Sequence, residues 1–321
     1  MFRGGKYCLL VLVLLSVFIA SCIREEAQKV KAIETFEYLA GLSDKKDSFI
    51  FFTDPHISYS DPDFNNSLLT VRDYYLETSA GFCVCGGDWL NDVDTPDEAY
   101  VKLQIADSIL NVYFPSCYYP VLGNHDTNYQ GCLDDSSKNS SAQLSDIQII
   151  NCLFARFGST YYSFDTNFSK YIVADTGIDW ELELDEERYR QVEWFYETLL
   201  NNDKNHIVIF MHMYRNSKDS YHPFPSTLMN IAVAFNDKKE IEINDVLMDF
   251  SHTKGTIACF ICGHMHSDYI DTNTSIPVIG VTCFISSKRP TFDICLIDWD
   301  SNILNMVRVG AGRDRFVQLP L

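Results

Sequence analysis

Residues 48–56 read SFIFFTDPH: an apolar run of strand length that stops abruptly at Asp54-Pro55-His56. The same pattern returns four times. FCVC (82–85) ends in Gly86-Gly87-Asp88, and YYPVL (118–122) ends in Gly123-Asn124-His125-Asp126. HIVIFM (206–211) ends in His212, and IACFIC (257–262) ends in Gly263-His264-Met265-His266. In an open α/β sheet, side chains just beyond the carboxyl ends of the strands share one crevice. Residues far apart in this chain are therefore expected to converge.

The segments between these runs supply the helices. Leu68, Val71 and Tyr75 recur at a helical spacing, so a helix is expected over Ser67 to Thr78. Thr95-Pro96-Asp97-Glu98 is a capping box with Pro at the first helical position, starting a helix that runs to Val112. Further helices are expected at Leu144 to Arg156, Asp185 to Leu200 (Val192, Phe195 and Leu199 on one face) and Glu240 to Phe250. Tyr161 to Asp165 and Tyr171 to Asp175 read as strands, and Ile276 to Val309 as several more. Strands alternating with helices predict a layered α/β fold. No domain boundary is evident within 48–321.

The composition agrees with a folded enzyme-sized chain: 321 residues, 46% hydrophobic and 21% charged. This excludes disordered, collagen-like and membrane-embedded classes. The formal charge is -19, and a surface that acidic repels nucleic-acid backbones, so a nucleic-acid scaffold role is not expected. Phosphate remains accessible as a substrate group if bound cations reverse the local field.

Residues 1–21 read as a targeting segment. Arg3 and Lys6 precede the apolar run Tyr7 to Ala20, which as a helix would span about 21 Å, short of the roughly 20 residues a bilayer requires. A basic start, a short apolar stretch and small residues mark a signal peptide. Ile19-Ala20-Ser21-Cys22 resembles the lipobox of bacterial lipoproteins, which implies a lipid on Cys22. That resemblance places the protein in the cell envelope. Ile23, in place of an inner-membrane retention Asp, favours the outer membrane, periplasmic or surface-facing. Residues 22–47 then form a linker or first helix, and 48–321 the main domain.

Removing residues 1–21 leaves nine cysteines besides Cys22. Cys83, Cys85, Cys259 and Cys262 lie in apolar runs and read as small buried hydrophobes, not zinc ligands. Cys117, Cys132 and Cys152 are disulfide candidates without an assignable pairing.

The chemistry sits at the strand ends. Five of the eight histidines fall there: His56, His125, His212, His264 and His266. In extended chain, residues i and i+2 point the same way, so Asp54 with His56, and His264 with His266, can each face one ion. Imidazole, carboxylate and amide donors without thiolate suit Mn, Fe or Zn.

The ordered set DPH, GGD, GNHD, a strand-terminal His and GHMH resembles the calcineurin-like metallophosphoesterases, over roughly residues 48–270. The resemblance implies a four-layer α/β/β/α sandwich with two mixed sheets and a centre of two divalent metals. It implies that Asp54, His56 and His266 hold the first ion, that Asn124, His212 and His264 hold the second, and that Asp88 bridges both. It places His125 by the leaving group, oriented by Asp126. The implied reaction is hydrolysis of phosphate mono- or diesters by a hydroxide held between the ions, since metals lower the pKa of bound water to roughly 7. A non-catalytic scaffold and a phosphate-capturing lipoprotein on the same fold are the alternatives. Asn91 stands where purple acid phosphatases carry the tyrosine that binds ferric iron, which argues against a tyrosinate-ligated centre. Trp89 reads as packing. Arg215 and His222 read as loop residues, His206 and His252 as structural, and Asp175 as a turn cap.

Overall fold

A single tract of aromatic side chains joins the two halves of this chain. In the computed structural model, which describes residues 4–57, 64–90, 95–128, 144–176, 186–214, 255–272, 276–284 and 289–320, the first apolar run forms β1 (Lys46–Phe52). Alternate residues of a strand face opposite ways. Phe49 and Phe51 therefore share one face, and their rings lie 5.4 and 5.9 Å from that of Phe210.

Phe210 ends β6 (His206–Phe210) of a second sheet. Its ring also stacks on Tyr171 at 5.6 Å. The two sheets thus meet face to face through rings, which bury the largest apolar area per residue.

The first sheet runs in the order β12-β11-β10-β1-β2-β3 and the second β4-β5-β6-β7-β9-β8. Here β2 is Phe82–Cys85, β3 Tyr118–Pro120, β4 Tyr162–Asp165, β5 Ser169–Val173, β7 Thr256–Cys262, β8 Tyr269–Asp271, β9 Val278–Gly280, β10 Phe292–Asp298, β11 Ile303–Val309 and β12 Arg315–Gln318. β1, β2 and β3 are mutually parallel, while β10, β11 and β12 pair antiparallel. β5, β6, β7 and β9 are parallel, with β4 and β8 antiparallel at the edges. Both sheets are mixed.

Helices cover the outer faces. α1 (Gly4–Ala40), α2 (Phe64–Glu77) and α3 (Pro96–Tyr113) flank the first sheet. α5 (Glu186–Leu200) covers the second, with Phe195 and Leu199 buried against Ile207 and Ile209. The result is the expected α/β/β/α layering.

Local signals explain the boundaries. Thr95 caps α3 as its motif requires, accepting a hydrogen bond from the Glu98 amide. The helix expected over Leu144 to Arg156 is shorter: α4 spans Asp146–Asn151. Cys152, Leu153 and Phe154 are all buried, and three consecutive residues of a helix turning 100° per residue cannot all face one core. The strand expected over Tyr171 to Asp175 lies two residues earlier, in register with β6 from Ser169 to Val173. The proposed helix Glu240 to Phe250 lies outside the described residues.

α1 runs without a break through position 22, and its second half is not merely a spacer. Ala32 and Phe36 are buried in the main core, and the Glu25 carboxylate pairs with Arg289 at 2.5 Å. The folded body therefore extends N-terminal of residue 48.

Phe210→Ala should remove the ring shared by both sheets and lower stability by about 3–5 kcal/mol. A urea midpoint that falls with an unchanged denaturant slope would show this; an unchanged midpoint would mean the sheets are held otherwise.

Candidate metal centre

The parallel strands of both sheets point their carboxyl ends the same way, so the polar termini collect at the seam between them. Two groups of side chains result: Asp54, His56 and His266, and Asp88, His212 and His264. In each group the donor atoms lie within 4.8 Å of one another. Asn124 joins the second group through its Oδ1, 3.0 Å from His264 Nδ1. All seven residues that sequence reasoning nominated as ligands are therefore brought together.

The partition is the one the family resemblance implies, not the pairing of His264 with His266 that strand alternation allows. His264 and His266 do not face one ion position; they belong to different groups. The i, i+2 argument assumed extended backbone, but Asp54, His56, Asp88, His264 and His266 adopt positive φ of 54°, 43°, 58°, 68° and 49°. Left-handed residues rotate successive side chains away from the strand alternation. Asp and His tolerate this region better than most L residues, and such conformations cluster at functional sites.

The hydrogen bonds leave specific lone pairs bare. The Asp54 Oδ2 atom accepts from Thr53 Oγ1 at 2.8 Å and from the His264 amide at 3.0 Å. Its Oδ1 has no hydrogen bond and lies 3.2 Å from His266 Nε2 and 3.9 Å from His212 Nε2. His212 Nδ1 donates to the Gly86 carbonyl at 2.7 Å, which leaves Nε2 as the nitrogen that binds either a proton or a metal ion. That Nε2 is buried without an aligned partner, 3.0 Å from Asp88 Oδ2.

His56 repeats the device. Its Nδ1 faces the Leu90 carbonyl at 2.9 Å, and its Nε2 lies 3.1 Å from His266 Nε2. Nitrogen facing nitrogen beside a carboxylate is an arrangement that a shared positive charge, a proton or a metal ion, stabilises. These residues fit a pair of cations.

The electrostatics agree. Burial alone would lower the His212 pKa, but the Asp88 and Asp54 carboxylates outweigh it and hold it up at about 10. Burial would raise Asp88 and Asp54, yet the His212 charge together with the hydrogen bonds each carboxylate accepts outweighs it, and both carboxyls sit below their usual range. Protons and metal ions thus compete for the same pocket.

His125 stands at the mouth. Its backbone amide donates to Asp88 Oδ1 at 2.9 Å, its Nε2 lies 3.9 Å from Asp88 Oδ2, and its side chain is 30% exposed. The fully buried Asp126 carboxylate accepts from the amides of Asp88, Trp89, Leu90 and Gly123 at 2.6–3.1 Å. Burial and the Asp88 charge push its carboxyl up to about 7, against the Gly123 and Leu90 amides and the His212 charge. Asp126 shapes the GGD loop on which Asp88 sits.

Two glycines are required by close approach. A Cβ at Gly123 would lie 2.1 Å from Asp88 Oδ1, and one at Gly263 would lie 2.6 Å from Asp54 Oδ2.

Sequence reasoning missed Thr53 and the Gly86 and Leu90 carbonyls. Thr53 adjoins the DPH motif and was within reach; backbone acceptors carry no side-chain signal. Trp89 is buried and packs edge-on against Phe52 at 5.8 Å. His206 stacks on Trp299 at 4.0 Å, and Asp175 accepts from Thr160 at 2.5 Å. Cys83, Cys85, Cys259 and Cys262 are buried free thiols, and Cys117 and Cys152 are also unpaired with each other. Asn91, Cys132, Arg215, His222 and His252 lie outside the described residues.

A family model described as calcineurin-like phosphoesterase matches residues 48–268. Among solved structures, a dimetal phosphatase from Danio rerio superposes with a TM-score of 0.56 at 14% identity, over 85% of this chain and 99% of that one. A purple acid phosphatase from yellow lupin (Lupinus luteus) seeds gives 0.51 at 13% identity, over 85% of this chain and 54% of that one. These likenesses establish the fold. No curated protein matches the chain.

Because the metal-free His212 carries its proton up to about pH 10, a cation binding at neutral pH must displace it. Mn²⁺ binding should therefore tighten as pH rises and release roughly one proton per chain. Calorimetry in two buffers of different ionisation enthalpy reads this directly; identical heats would refute it. Gly123→Ala, by displacing Asp88, should lose bound metal while the far-ultraviolet spectrum stays unchanged.

Proposed function

The chain belongs to the calcineurin-like phosphoesterase family, and from that premise we propose that it hydrolyses phosphate mono- or diesters at the seam between its sheets. The observation that carries this reading is the pair of donor clusters built around the buried carboxylates Asp54 and Asp88. The family's two divalent cations are the cofactors, with a donor set suited to Mn, Fe or Zn. Asp54, His56 and His266 would hold one. Asn124, His212 and His264 would hold the other, and Asp88 would serve both. Bound there, such ions supply Lewis acidity toward phosphoryl oxygens and acidify a coordinated water.

The remaining steps belong to the chain's own groups. Asp88 faces the second cluster through Oδ2 and is tied to His125 through Oδ1, so the leaving-group side is registered to the floor of the site. His125 holds a proton at Nε2 and passes it to the departing ester oxygen; its exposed position at the mouth suits contact with substrate. Such general-acid assistance is worth typically about 10²–10⁴ in rate. Asp126 acts through the loop it ties together.

Residues 1–21 serve, in this proposal, as a lipoprotein signal peptide, and a lipid on Cys22 anchors the enzyme to the outer membrane. The basic, apolar and small-residue order around Cys22 supports it. Envelope location would make extracytoplasmic phosphate esters the substrates.

Release of p-nitrophenol from mono- and bis-substituted phosphates should occur with Mn²⁺, vanish with chelator and return with metal. No turnover of either compound would sink the hydrolase reading. His125→Ala should keep both ions and lose about 10²–10⁴ in kcat, whereas Asp88→Ala should lose metal by elemental analysis. Cys22→Ala should shift the protein from the membrane fraction to the soluble fraction of the cells that express it.

A further inference from the structure

Outside the metal clusters, the most unusual buried group is a four-residue ion network that crosses from one sheet to the other. The Arg308 side chain, on β11, is 2% exposed, and that of Arg315, on β12, is 8% exposed. Between them lies Asp293 of β10, fully buried, accepting from Arg315 Nη2 at 2.7 Å and Arg308 Nη2 at 3.0 Å. The fourth member comes from the second sheet: Asp268, two residues beyond His266 in the loop entering β8. Its Oδ1 accepts from Arg308 Nη2 at 2.6 Å and lies 3.2 Å from Arg315 Nη1.

Burying two guanidinium groups is costly, and a buried ion pair is weak evidence of stabilisation, since apolar side chains of similar volume often do as well. The network's geometry offers a different use. The Asp268 Oδ1 atom also accepts from the Thr282 amide at 3.1 Å, and Thr282 Oγ1 donates to the His266 carbonyl at 3.0 Å. Arg315 Nη1 in turn donates to the Gly280 carbonyl at 2.8 Å, on β9. The loop from His264 to Asp268 is thus fastened on its C-terminal side to the first sheet. It needs such fastening. His264 and His266 both hold positive φ, and His266 is the half-exposed member of its cluster, 48% open to solvent. Its imidazole must nonetheless stay within 3.2 Å of Asp54 Oδ1, which the first sheet carries.

We propose that Asp268, clamped by Arg308 and Arg315 and relayed through Thr282, is a positioning residue that holds His266 in register with Asp54 and so sets the affinity of one of the two metal positions. This rests on the two-metal reading above. None of the clamp's four residues belongs to either donor group, and the second cluster, built on Asp88, His212 and His264, has its own supports in Gly86 and Asn124. The expected signature is therefore asymmetric: one site weakens and the other does not.

The test is a Mn²⁺ titration of the full chain, read by electron paramagnetic resonance of free Mn²⁺, alongside thermal melts without metal. The parent should bind two ions. Asp268→Asn removes the charge and should weaken one site about 10–100-fold, as outer-shell changes do, leaving the other within twofold. Thr282→Val leaves every charge in place and should weaken the same site in the same direction with an unchanged melting temperature. It carries the test if Asp268→Asn fails to fold. Two parental affinities in a folded variant would overturn the clamp while leaving the metal centre standing. Equal weakening of both sites in step with lost stability would reduce the network to a structural staple. A parent chain that bound fewer than two ions would overturn the two-metal reading, and the clamp with it.

Discussion

An excess of electron pairs facing inward governs this molecule. His212 Nε2 points at an Asp88 oxygen, His56 Nε2 points at His266 Nε2, and the buried Asp54 Oδ1 faces imidazole nitrogens of His266 and His212. In a pocket whose floor is closed to solvent, such groups repel unless a positive charge separates them. The raised His212 pKa records the same demand in the language of protons. A fold that keeps these groups together does so because the strands, the tight loops and the core leave them nowhere else to go. The ladder of amides from Asp54, His56 and Ile57 onto the carbonyls of Gly87, Asp88 and Trp89 is one such constraint. The four amides that grip Asp126 are another.

What was legible in the sequence was local. An apolar run followed at once by Asp, His, Asn or Gly is visible without knowing the fold, and every ligand candidate lies at such a junction. The parallel direction of β1, β2, β3, β6 and β7 then brings the junctions to one end. The division of His264 and His266 between two clusters was not legible from strand alternation, because it depends on backbone turning left-handed at residues that period-two reasoning treats as extended. The backbone partners of Asp126 were not legible for a related reason: adjacency to His125 suggests a side-chain role, and nothing in the motif signals that the carboxylate accepts from four backbone amides. Least legible were β8 and β12. β8 buries none of its three residues and β12 buries only Val317. Edge strands with little burial leave almost no hydrophobic pattern, and with β12 went any sight of Arg315.

Five of the site residues hold positive φ, a conformation that costs of order 1–3 kcal/mol at each non-glycine position. No single hydrogen bond offsets that sum. The offset comes from the sheets themselves, whose strands run straight into these loops and whose cores are closed by rings. The strained residues all lie within four positions of a strand end, close to chain pinned by ladder bonds and burial.

The same logic makes the interface between the sheets a functional element. Asp54 and Asp88 belong to the first sheet, and His212, His264 and His266 to the second, so each cluster spans the seam. A sliding motion of one sheet by an ångström would leave each sheet's hydrogen bonds intact and yet separate Asp54 Oδ1 from His266 Nε2, now 3.2 Å apart. What resists sliding is the interlocking of Phe49, Phe51, Tyr171 and Phe210 at the centre and the charged network of Arg308, Arg315, Asp268 and Asp293 nearer the loop. Apolar rings oppose separation strongly but shear weakly, since stacked faces can glide. Directional bonds from a rigid guanidinium oppose shear. The chain uses both, and it places the directional one beside the ligand that solvent would otherwise free.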